Sequence, residues 1–353
     1  FIVSFAAWGV WAALGLVWMW EGLAEMLGVE RVKLGRETLE VPTRKGWLAM
    51  SWILAIALVP LFTNWHAASR AHQRDTRDFA HDLLDSVEPY GVLVTAGDND
   101  TFPLWYAQEV EGIRKDVLVL CTSLLNTDWY IRQMIRRPVY EYDAAKGPAV
   151  YRGIAWPKPT GSPIHMTMDE ANALPEYMEV RTPQVFVKDK IRATLQPQYL
   201  DRASIVLFRI VKDDYPARPV YFSVTMGGVP QQLGFSDYLL TQGLARKLLP
   251  EPIEGTRDTV LSQEGWLDVQ RTMRLWNEDF LGPAAVIDRG LWVDRSSVGI
   301  PYEYIATALT LQQVLLARGD SAQARALDRT ARRLAAATGL DQRTIVSGGA
   351  DLP

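Results

Sequence analysis

The chain has 353 residues, with 37 Lys and Arg against 41 Asp and Glu and a formal net charge of −4. This balance lacks the basic excess that a nucleic-acid partner requires. Cys121 is the single cysteine, which excludes an internal disulfide framework and a cysteine zinc cluster. The four histidines include no pair at i, i+4 spacing, so we expect no metal site built on them.

Two long stretches near the start carry no charged residue, Phe1 to Trp20 and Trp47 to Trp65. Each has roughly the 20 apolar residues that a helix needs to cross a bilayer core. Trp18, Trp20, Trp47 and Trp65 stand near their ends, where indole rings favour the membrane–water boundary. A buried core helix and a secretion signal are the alternatives. We predict a two-helix transmembrane hairpin over residues 1–66, so the lipid bilayer is an expected partner.

The connector between these stretches is basic, and short basic loops stay cytoplasmic. The residues after Trp65 are then expected outside the cytoplasm, although Arg70, Arg74 and Arg77 oppose this orientation. Because the first residue is not Met, we expect further helices upstream in a longer protein. The basic residues of the connector are Arg31, Lys33, Arg36, Arg44 and Lys45.

Strands and helices alternate after the second apolar stretch. This order predicts a parallel βαβ unit in an exported, Rossmann-like α/β domain over residues 67–250. Gly97 to Thr101 is read as a turn, with Thr101 as a helix N-cap. The predicted elements are a helix at 67–87, a strand at 92–96, a helix at 104–112, a strand at 117–121 and a helix at 128–137.

The rest of the chain gives weaker signals. Residues 138–203 are rich in Pro and Gly, and we predict loops, short strands and a helix near 183–195. The segment 205–211 fits a helix end or a strand, and 219–224 fits a buried strand. Residues 251–353 are predicted to be helical, with helices at 304–317 and 322–338. This pair is like one tetratricopeptide hairpin, although we favour a hairpin that simply packs on the α/β domain.

Polar and aromatic side chains follow the two predicted strands, and ligands bind beyond the carboxyl ends of parallel strands. Carboxylate and amide groups beside aromatic faces suit a sugar or another polar ligand. Turn and cap structure alone is the other main reading, and a divalent metal at Asp98 and Asp100 is a less favoured third. The candidate binding residues are Asp98, Asn99, Asp100, Trp105, Asn126, Asp128, Trp129 and Tyr130.

Several strings together are specific enough to indicate a family. They are Gly-Asp-Asn-Asp-Thr-Phe-Pro-Leu-Trp-Tyr at 97–106, the segment 108–117, Ser-Leu-Leu-Asn-Thr-Asp-Trp-Tyr at 123–130, Arg-Pro-Val-Tyr-Phe at 218–222 and the stretch 233–250. The chain resembles the C-terminal half of a bacterial multi-pass membrane family of unassigned function that is related to the animal protein O-mannosyltransferases. The resemblance covers about Trp47 to the end and is strongest from Asn64 to Arg137.

This resemblance implies a glycosyltransferase of the GT-C kind in the bacterial inner membrane, with the soluble domain on the periplasmic side. It implies a lipid-phosphate-linked sugar donor, with mannose as one candidate, and a protein or glycan acceptor. The catalytic base of such enzymes lies in a loop that would precede Phe1, so no catalytic residue is carried over. A non-catalytic glycan- or protein-binding domain and a purely structural cap are the alternatives.

Overall fold

The computed structural model describes residues 2–71, 73–162, 164–262, 264–292 and 294–340. Phe1 and the last part of the predicted helical region, 341–353, lie outside these ranges. The chain divides into two units, Phe1–His72 and Gln73–Pro353. The boundaries that we predict at residues 66 and 250 stay predictions.

The first unit contains two apolar helical stretches joined by a β-hairpin. Val3–Glu25 and Arg44–Trp65 are long and apolar enough to cross a membrane by length and composition. The side chains of Trp8, Trp11 and Trp18 are 73–75% exposed, so the first stretch is not a buried core helix in this unit. The elements are α1 Ile2–Glu25, β1 Val29–Leu34, β2 Glu37–Pro42, α2 Arg44–Met50, a 3₁₀ segment Ser51–Leu58 and α3 Val59–Ala68.

The connector forms a hairpin that the sequence reading did not include. β1 pairs antiparallel with β2 across a Gly35-Arg36 turn, where Gly35 has a positive φ of 66°. This conformation suits the two-residue turns of hairpins. The rings of Trp20 and Trp47 meet at a centroid distance of 4.5 Å, and Trp20 Nε1 donates to the carbonyl of Trp47 at 2.9 Å. These contacts join the ends of the two apolar stretches.

The second unit is built on a mixed sheet of seven strands, flanked by helices. Its helices are α4 Asp75–Asp85, α5 Asp98–Glu109, α6 Thr122–Leu125, α7 Asp128–Arg136, α8 Met168–Asn172, α9 Arg202–Asp213, α10 Val229–Gln232, α11 Val269–Glu278, α12 Gly282–Arg289, α13 Gly299–Ala317 and α14 Ser321–Thr338. Its strands are β3 Val92–Thr95, β4 Leu118–Cys121, β5 Tyr177–Val180, β6 Gln184–Lys188, β7 Ile191–Leu195, β8 Gln198–Asp201, β9 Val220–Ser223, β10 Leu239–Gln242, β11 Ala245–Leu248, β12 Thr259–Ser262 and β13 Gly265–Asp268.

The strand order of the sheet is β12-β13-β10-β11-β9-β3-β4. β3 pairs in parallel with β4 on one side and with β9 on the other, whereas β11 is antiparallel to β9. The predicted strand–helix–strand unit is therefore present, with α5 between two parallel neighbours. Strands β12 and β13 belong to the same sheet, and the described part of the chain after them is helical, as predicted for the C-terminal part.

The sheet separates two hydrophobic cores because successive side chains of a strand point to opposite faces. Leu93 of β3 lies in the same core as Phe79, Tyr304 and Leu327 from α4, α13 and α14. Val94 packs in the other core, among side chains of α7 and α9. The stripe Ala324, Leu327, Ala331 and Leu334 of α14 lies in the first core, which fits a hairpin that packs on the sheet. The tetratricopeptide likeness stays a prediction.

Two local predictions are wrong. The helix expected near 183–195 is the antiparallel hairpin β6–β7, in which Ile191, Ala193 and Leu195 are buried and the residues between them are exposed. This period of two is that of a strand, and Asp189 turns the hairpin with a φ of 51°. The undecided segment 205–211 lies within helix α9.

The second wrong prediction concerns the turn after β3. Thr101 is not the N-cap, because α5 begins at Asp98 and Gly97 occupies the cap position. The side chain of Thr101 is fully buried, and its hydroxyl lies 2.7 Å from that of Thr95.

Candidate functional site

The two loops that we expected to converge lie side by side at one edge of the sheet. Thr122 Oγ1 donates to the carbonyl of Thr95 at 3.1 Å, and Ser123 Oγ donates to the carbonyl of Ala96 at 2.9 Å. These bonds link the residues after β4 to the residues after β3. The start of α5 at Asp98 and the end of α6 at Asn126 therefore lie at the same end of the parallel strands.

The carboxylates of Asp98 and Asp100 face different surroundings. Asp100 is 2% exposed, and its two oxygens accept from the backbone N–H groups of Ala96 and Gly97, each at 2.9 Å. Its Oδ2 also accepts from the hydroxyl of Thr225 in the turn after β9. Asp100 thus holds two loops together, whereas Asp98 is exposed to solvent.

A pocket of about 440 Å³ opens beside Asp98, and we name it the acid pocket. One wall is the turn after β3, the second is Thr225, and the third is the start of α13. Asn99 crosses from the first wall to the third, because its Nδ2 donates to the carbonyl of Ser296 at 3.1 Å. The lining residues are Ala96, Gly97, Asp98, Asn99, Asp100, Thr225, Ser296, Ser297, Gly299, Ile300, Tyr302 and Glu303.

The topology of the sheet accounts for the position of this pocket. After β3 the chain proceeds through α5 to β4 on one side, and after β9 it proceeds to β10 and β11 on the other. The loops that leave β3 and β9 therefore diverge and leave a crevice at the carboxyl ends of these strands. Open α/β sheets bind ligands at such points. The pocket thus lies between β3 and β9, whereas the sequence reading considered β3 and β4.

Glu303 is the pocket residue that the sequence analysis missed. Its side chain is largely buried and makes no hydrogen bond or ion pair with any other part of the chain that the structure describes. Burial raises the pKa of this carboxyl to about 7, the cation of Arg246 opposes that rise, and the charge of Glu264 adds to it. One signal was available, because Glu303 is the single charged residue from Ser296 to Ala317.

A small chamber of about 30 Å³ lies behind Glu303. Its wall includes Arg246, which is 7% exposed and donates to the carbonyl of Gly227. Arg246 Nε has no hydrogen-bond partner among the described residues. A chamber of this size has room for one water molecule. Glu303 therefore stands between a cation on one side and the acid pocket on the other.

The charges of the acid pocket define what it accepts. Asp98, Asp100 and Glu303 line it, and no Lys, Arg or His is among its described lining residues. Carboxylates accept hydrogen bonds from hydroxyl and ammonium groups but repel phosphate and carboxylate groups. The pocket therefore suits a neutral polyhydroxyl compound or an amine, and it disfavours an anion.

The predicted residues after β4 mostly hold other parts of the fold. Asn126 Oδ1 accepts from the backbone N–H of Ala203 at 3.0 Å, and its Nδ2 donates to Asp201 at 3.0 Å. Asp128 forms an ion pair with Arg202. These contacts fix the start of α9 against the turn after β4, so neither Asn126 nor Asp128 lines the acid pocket.

The three predicted aromatic residues also differ in their surroundings. Tyr130 is fully buried, and its hydroxyl accepts from the N–H of Cys121 and donates to the carbonyl of Val119, both at 3.2 Å. Trp105 is partly buried against both cores. Trp129 is 50% exposed and lines a different groove on the surface of α7. The candidate binding residues therefore do not form one site. Some line the acid pocket, Trp129 lines another groove, and others stabilise the fold.

Few carboxylate oxygens of Asp98 and Asp100 are free to bind a metal ion. Both oxygens of Asp100 already accept backbone hydrogen bonds, and Oδ2 accepts a third from Thr225. Among the residues that the structure describes, no group of three or more His, Cys, Asp or Glu side chains is placed to hold a metal ion.

Comparison with known proteins places these observations in a family. The family model described as TMEM260-associated domain 2 matches residues 76–148 and 158–270, together just over half of the chain and including both strand-end loops. The mouse protein named Protein O-mannosyl-transferase TMEM260 is 26% identical over 116 residues. That match spans 32% of this chain and 16% of the mouse protein. No solved structure matches the chain.

Proposed function

The chain belongs to the TMEM260-associated domain 2 family, and from this membership we propose that it is part of a membrane-bound glycosyltransferase. The two helices of membrane-spanning length in the first unit support a place in a membrane. The name of the mouse relative supports sugar transfer to protein. Since this chain matches a small part of that relative, the activity of the whole protein is a proposal.

In the proposed reaction, a sugar passes from a lipid-phosphate carrier to a hydroxyl of an acceptor outside the bacterial cytoplasmic membrane. A base removes the proton of the acceptor hydroxyl while the phosphate departs with the electrons of the broken bond. We expect mannose as the sugar, by analogy with the mouse protein. We assign the base to no residue of this chain, and we assign acceptor binding to the second unit.

The acid pocket is the observation that carries this assignment. An acceptor of sugar presents hydroxyl groups, and Asp98, Asn99 and Glu303 offer oxygen atoms that accept hydrogen bonds from them. A lipid phosphate is an anion, and three carboxylates without a lining cation disfavour it. The pocket therefore suits the acceptor rather than the donor.

Glu303 adds proton dependence to this binding. With a pKa of about 7, its side chain changes between donor and acceptor of a hydrogen bond near neutral pH. We propose that the ionised form accepts a hydrogen bond from an acceptor hydroxyl. Acceptor binding then strengthens as the pH rises through 7.

A second candidate function is glycan binding without chemistry. Asp98 is exposed at the pocket mouth, and Asn99 is fixed by its bond to Ser296, an arrangement that serves recognition without a reacting group. Under this reading the unit holds a glycan or a glycosylated protein.

A transfer assay on the intact protein that contains this chain, with a panel of lipid-linked sugars, tests the first candidate. Asp98→Asn and Glu303→Gln are expected to raise KM for the acceptor at least about tenfold, because each removes a charged hydrogen-bond acceptor. The KM for the donor stays unchanged. Asp169→Asn, an exposed aspartate in the first turn of α8, is the matched control and leaves both values unchanged.

Two results would change this conclusion. Transfer with an unaltered acceptor KM in both pocket variants contradicts the acceptor role of the pocket. Absence of transfer from every donor, combined with glycan binding that Asp98→Asn abolishes, selects the second candidate.

A further inference from the structure

A second surface site, the groove that contains Trp129, has the opposite charge from the acid pocket. It is an open groove of about 630 Å³ along α7, and we name it the basic groove. Trp129, Arg132 and Arg136 stand at i, i+3 and i+7 on this helix, so they share one face. Arg137 and Tyr140 complete the wall beyond the end of the helix.

The groove retains an excess of positive charge after its internal pairs are counted. Glu109 is the acidic residue among its described lining residues, and it is already paired with Lys115 at 2.7 Å and with Arg137 at 3.6 Å. Arg132 Nη1 donates to Asn172 Oδ1 and lies 3.9 Å from Asp128, whose other oxygen is held by Arg202. Among the described residues, Nε and Nη2 of Arg132 have no hydrogen-bond partner.

Arg136 is the least engaged of these arginines. Its side chain is exposed and makes no hydrogen bond or ion pair with any part of the chain that the structure describes. The whole chain has a net charge of −4, so three arginines around one groove are not a consequence of general basicity.

Aromatic rings lie at both ends of the groove. Trp129 is 50% exposed at the start of α7. At the other end, the guanidinium of Arg137 lies 5.5 Å from the ring centre of Tyr140, and the ammonium of Lys115 lies 4.7 Å from it. These contacts keep cations near the groove, while the exposed part of Trp129, which also contacts Tyr130, offers an apolar surface.

Stabilisation of a helix end explains part of this arrangement. Cations near the carboxyl end of a helix interact favourably with its dipole, which accounts for Arg136 and Arg137. The bond of Arg132 to Asn172 of α8 uses one nitrogen of that guanidinium. Neither contact accounts for the exposed ring of Trp129 at the start of the helix. A ligand with an anionic group and an apolar face would contact Arg136, the remaining nitrogens of Arg132 and the ring of Trp129.

We propose that the basic groove binds the phosphate monoester of an organic molecule, with Arg132 and Arg136 on the phosphate and Trp129 on the organic part. Arginine is suited to this role because its planar fork matches phosphate oxygens in pairs. The same chemistry occurs in a soluble sugar phosphate and in a phosphomonoester lipid headgroup. This site is independent of the function proposed for the acid pocket.

Calorimetric titration of the 353-residue chain in phosphatidylcholine nanodiscs with glucose 1-phosphate tests the proposal. We expect saturable binding that weakens with salt and is absent with glucose. Arg132→Gln and Arg136→Gln each weaken it at least about tenfold. Arg181→Gln, which removes an exposed arginine next to β5, is the matched control and has no effect. Asp98→Asn also has no effect, which separates this site from the acid pocket.

Absence of binding to glucose 1-phosphate overturns the proposal, as does an equal loss in Arg181→Gln. A second arm distinguishes the two sources of phosphate. Nanodiscs with phosphatidic acid are compared with phosphatidylglycerol nanodiscs of matched surface charge. A loss of glucose 1-phosphate affinity in phosphatidic acid nanodiscs but not in phosphatidylglycerol nanodiscs identifies the lipid headgroup, and unchanged affinity in both identifies a soluble phosphate.

Discussion

The hydroxyl of Thr225 donates a hydrogen bond to Oδ2 of Asp100, and these residues lie 125 positions apart in the sequence. The bond joins the turn after β9 to the turn after β3, at the point where the two loops diverge. It therefore connects two walls of the acid pocket directly. Asp100, which the sequence suggests as a ligand residue, instead stabilises the loops that form the site.

Asp100→Asn is expected to lower the free energy of unfolding by about 1–3 kcal/mol, because an amide nitrogen cannot accept the buried backbone hydrogen bonds. Asp98→Asn is expected to change it by less than about 0.5 kcal/mol, since Asp98 is exposed. Denaturant unfolding of the chain in detergent micelles measures both values. Equal losses in the two variants would contradict the difference in role.

Glu303→Gln is expected to stabilise the protein at high pH. The carboxyl ionises near 4.5 in the unfolded chain and near 7 in the folded chain, because burial raises its pKa. Stability therefore falls as the pH rises from 4.5 to 7, and the full cost remains above 7. Glutamine removes this cost, so unfolding at pH 8 should require on the order of 2 kcal/mol more. Near pH 4 the two proteins should unfold alike.

The measurement for Glu303 is the difference in unfolding free energy between the variant and the parent at pH 4, 6 and 8. A difference that does not change with pH would show that the side chain is not neutral in the folded protein at pH 6.

The ion pair between Asp128 and Arg202 is expected to contribute a coupling energy of about 1 kcal/mol, because the Arg202 side chain is mostly buried. A double-mutant cycle with Asp128→Ala and Arg202→Ala measures it. Arg31 and Glu40, an exposed pair on the hairpin of the first unit, form the control cycle and should show coupling near zero. The prediction fails if both cycles give the same value.

The proposed orientation predicts which introduced cysteines react from outside the cell. With a membrane-impermeant maleimide, Arg181→Cys should be labelled in intact cells, and Arg36→Cys in the basic connector should be labelled after permeabilisation only. The native Cys121 is 1% exposed and should stay unlabelled in both. The opposite labelling pattern would place the second unit in the cytoplasm.

Local patterns were sufficient for the elements around β3. The apolar runs that became β3 and β4 are uniformly buried, and the glycine and acidic residues between them predict a turn followed by a helix. The first residue of α5 was misplaced, because it depends on the bonds of Asp100 to the backbone. The hairpin at 184–195 was missed, because its alternation is short and lies between Pro-rich segments.

The partners of Asn126, Asp128 and Tyr130 were beyond sequence reasoning. Asn126 and Asp128 bond to residues near 202, and Tyr130 turns its hydroxyl back to the strand that precedes it. Their residue types are as common in ligand-binding sites as in contacts that stabilise a fold. Whether such a side chain binds a ligand or stabilises the fold depends on which backbone groups lie opposite it.

The sequence by itself determined the two apolar helical stretches, the parallel strands around α5 and the family of the chain. The length of the apolar stretches, the periodicity and the motif strings are local properties, and they can be recognised without knowledge of the fold. The tertiary structure alone decided that Glu303 and Asp98 line one pocket and that Arg246 lies behind Glu303. These outcomes depend on contacts between residues far apart in the sequence, because only the packed chain sets which charges are buried together and which remain exposed.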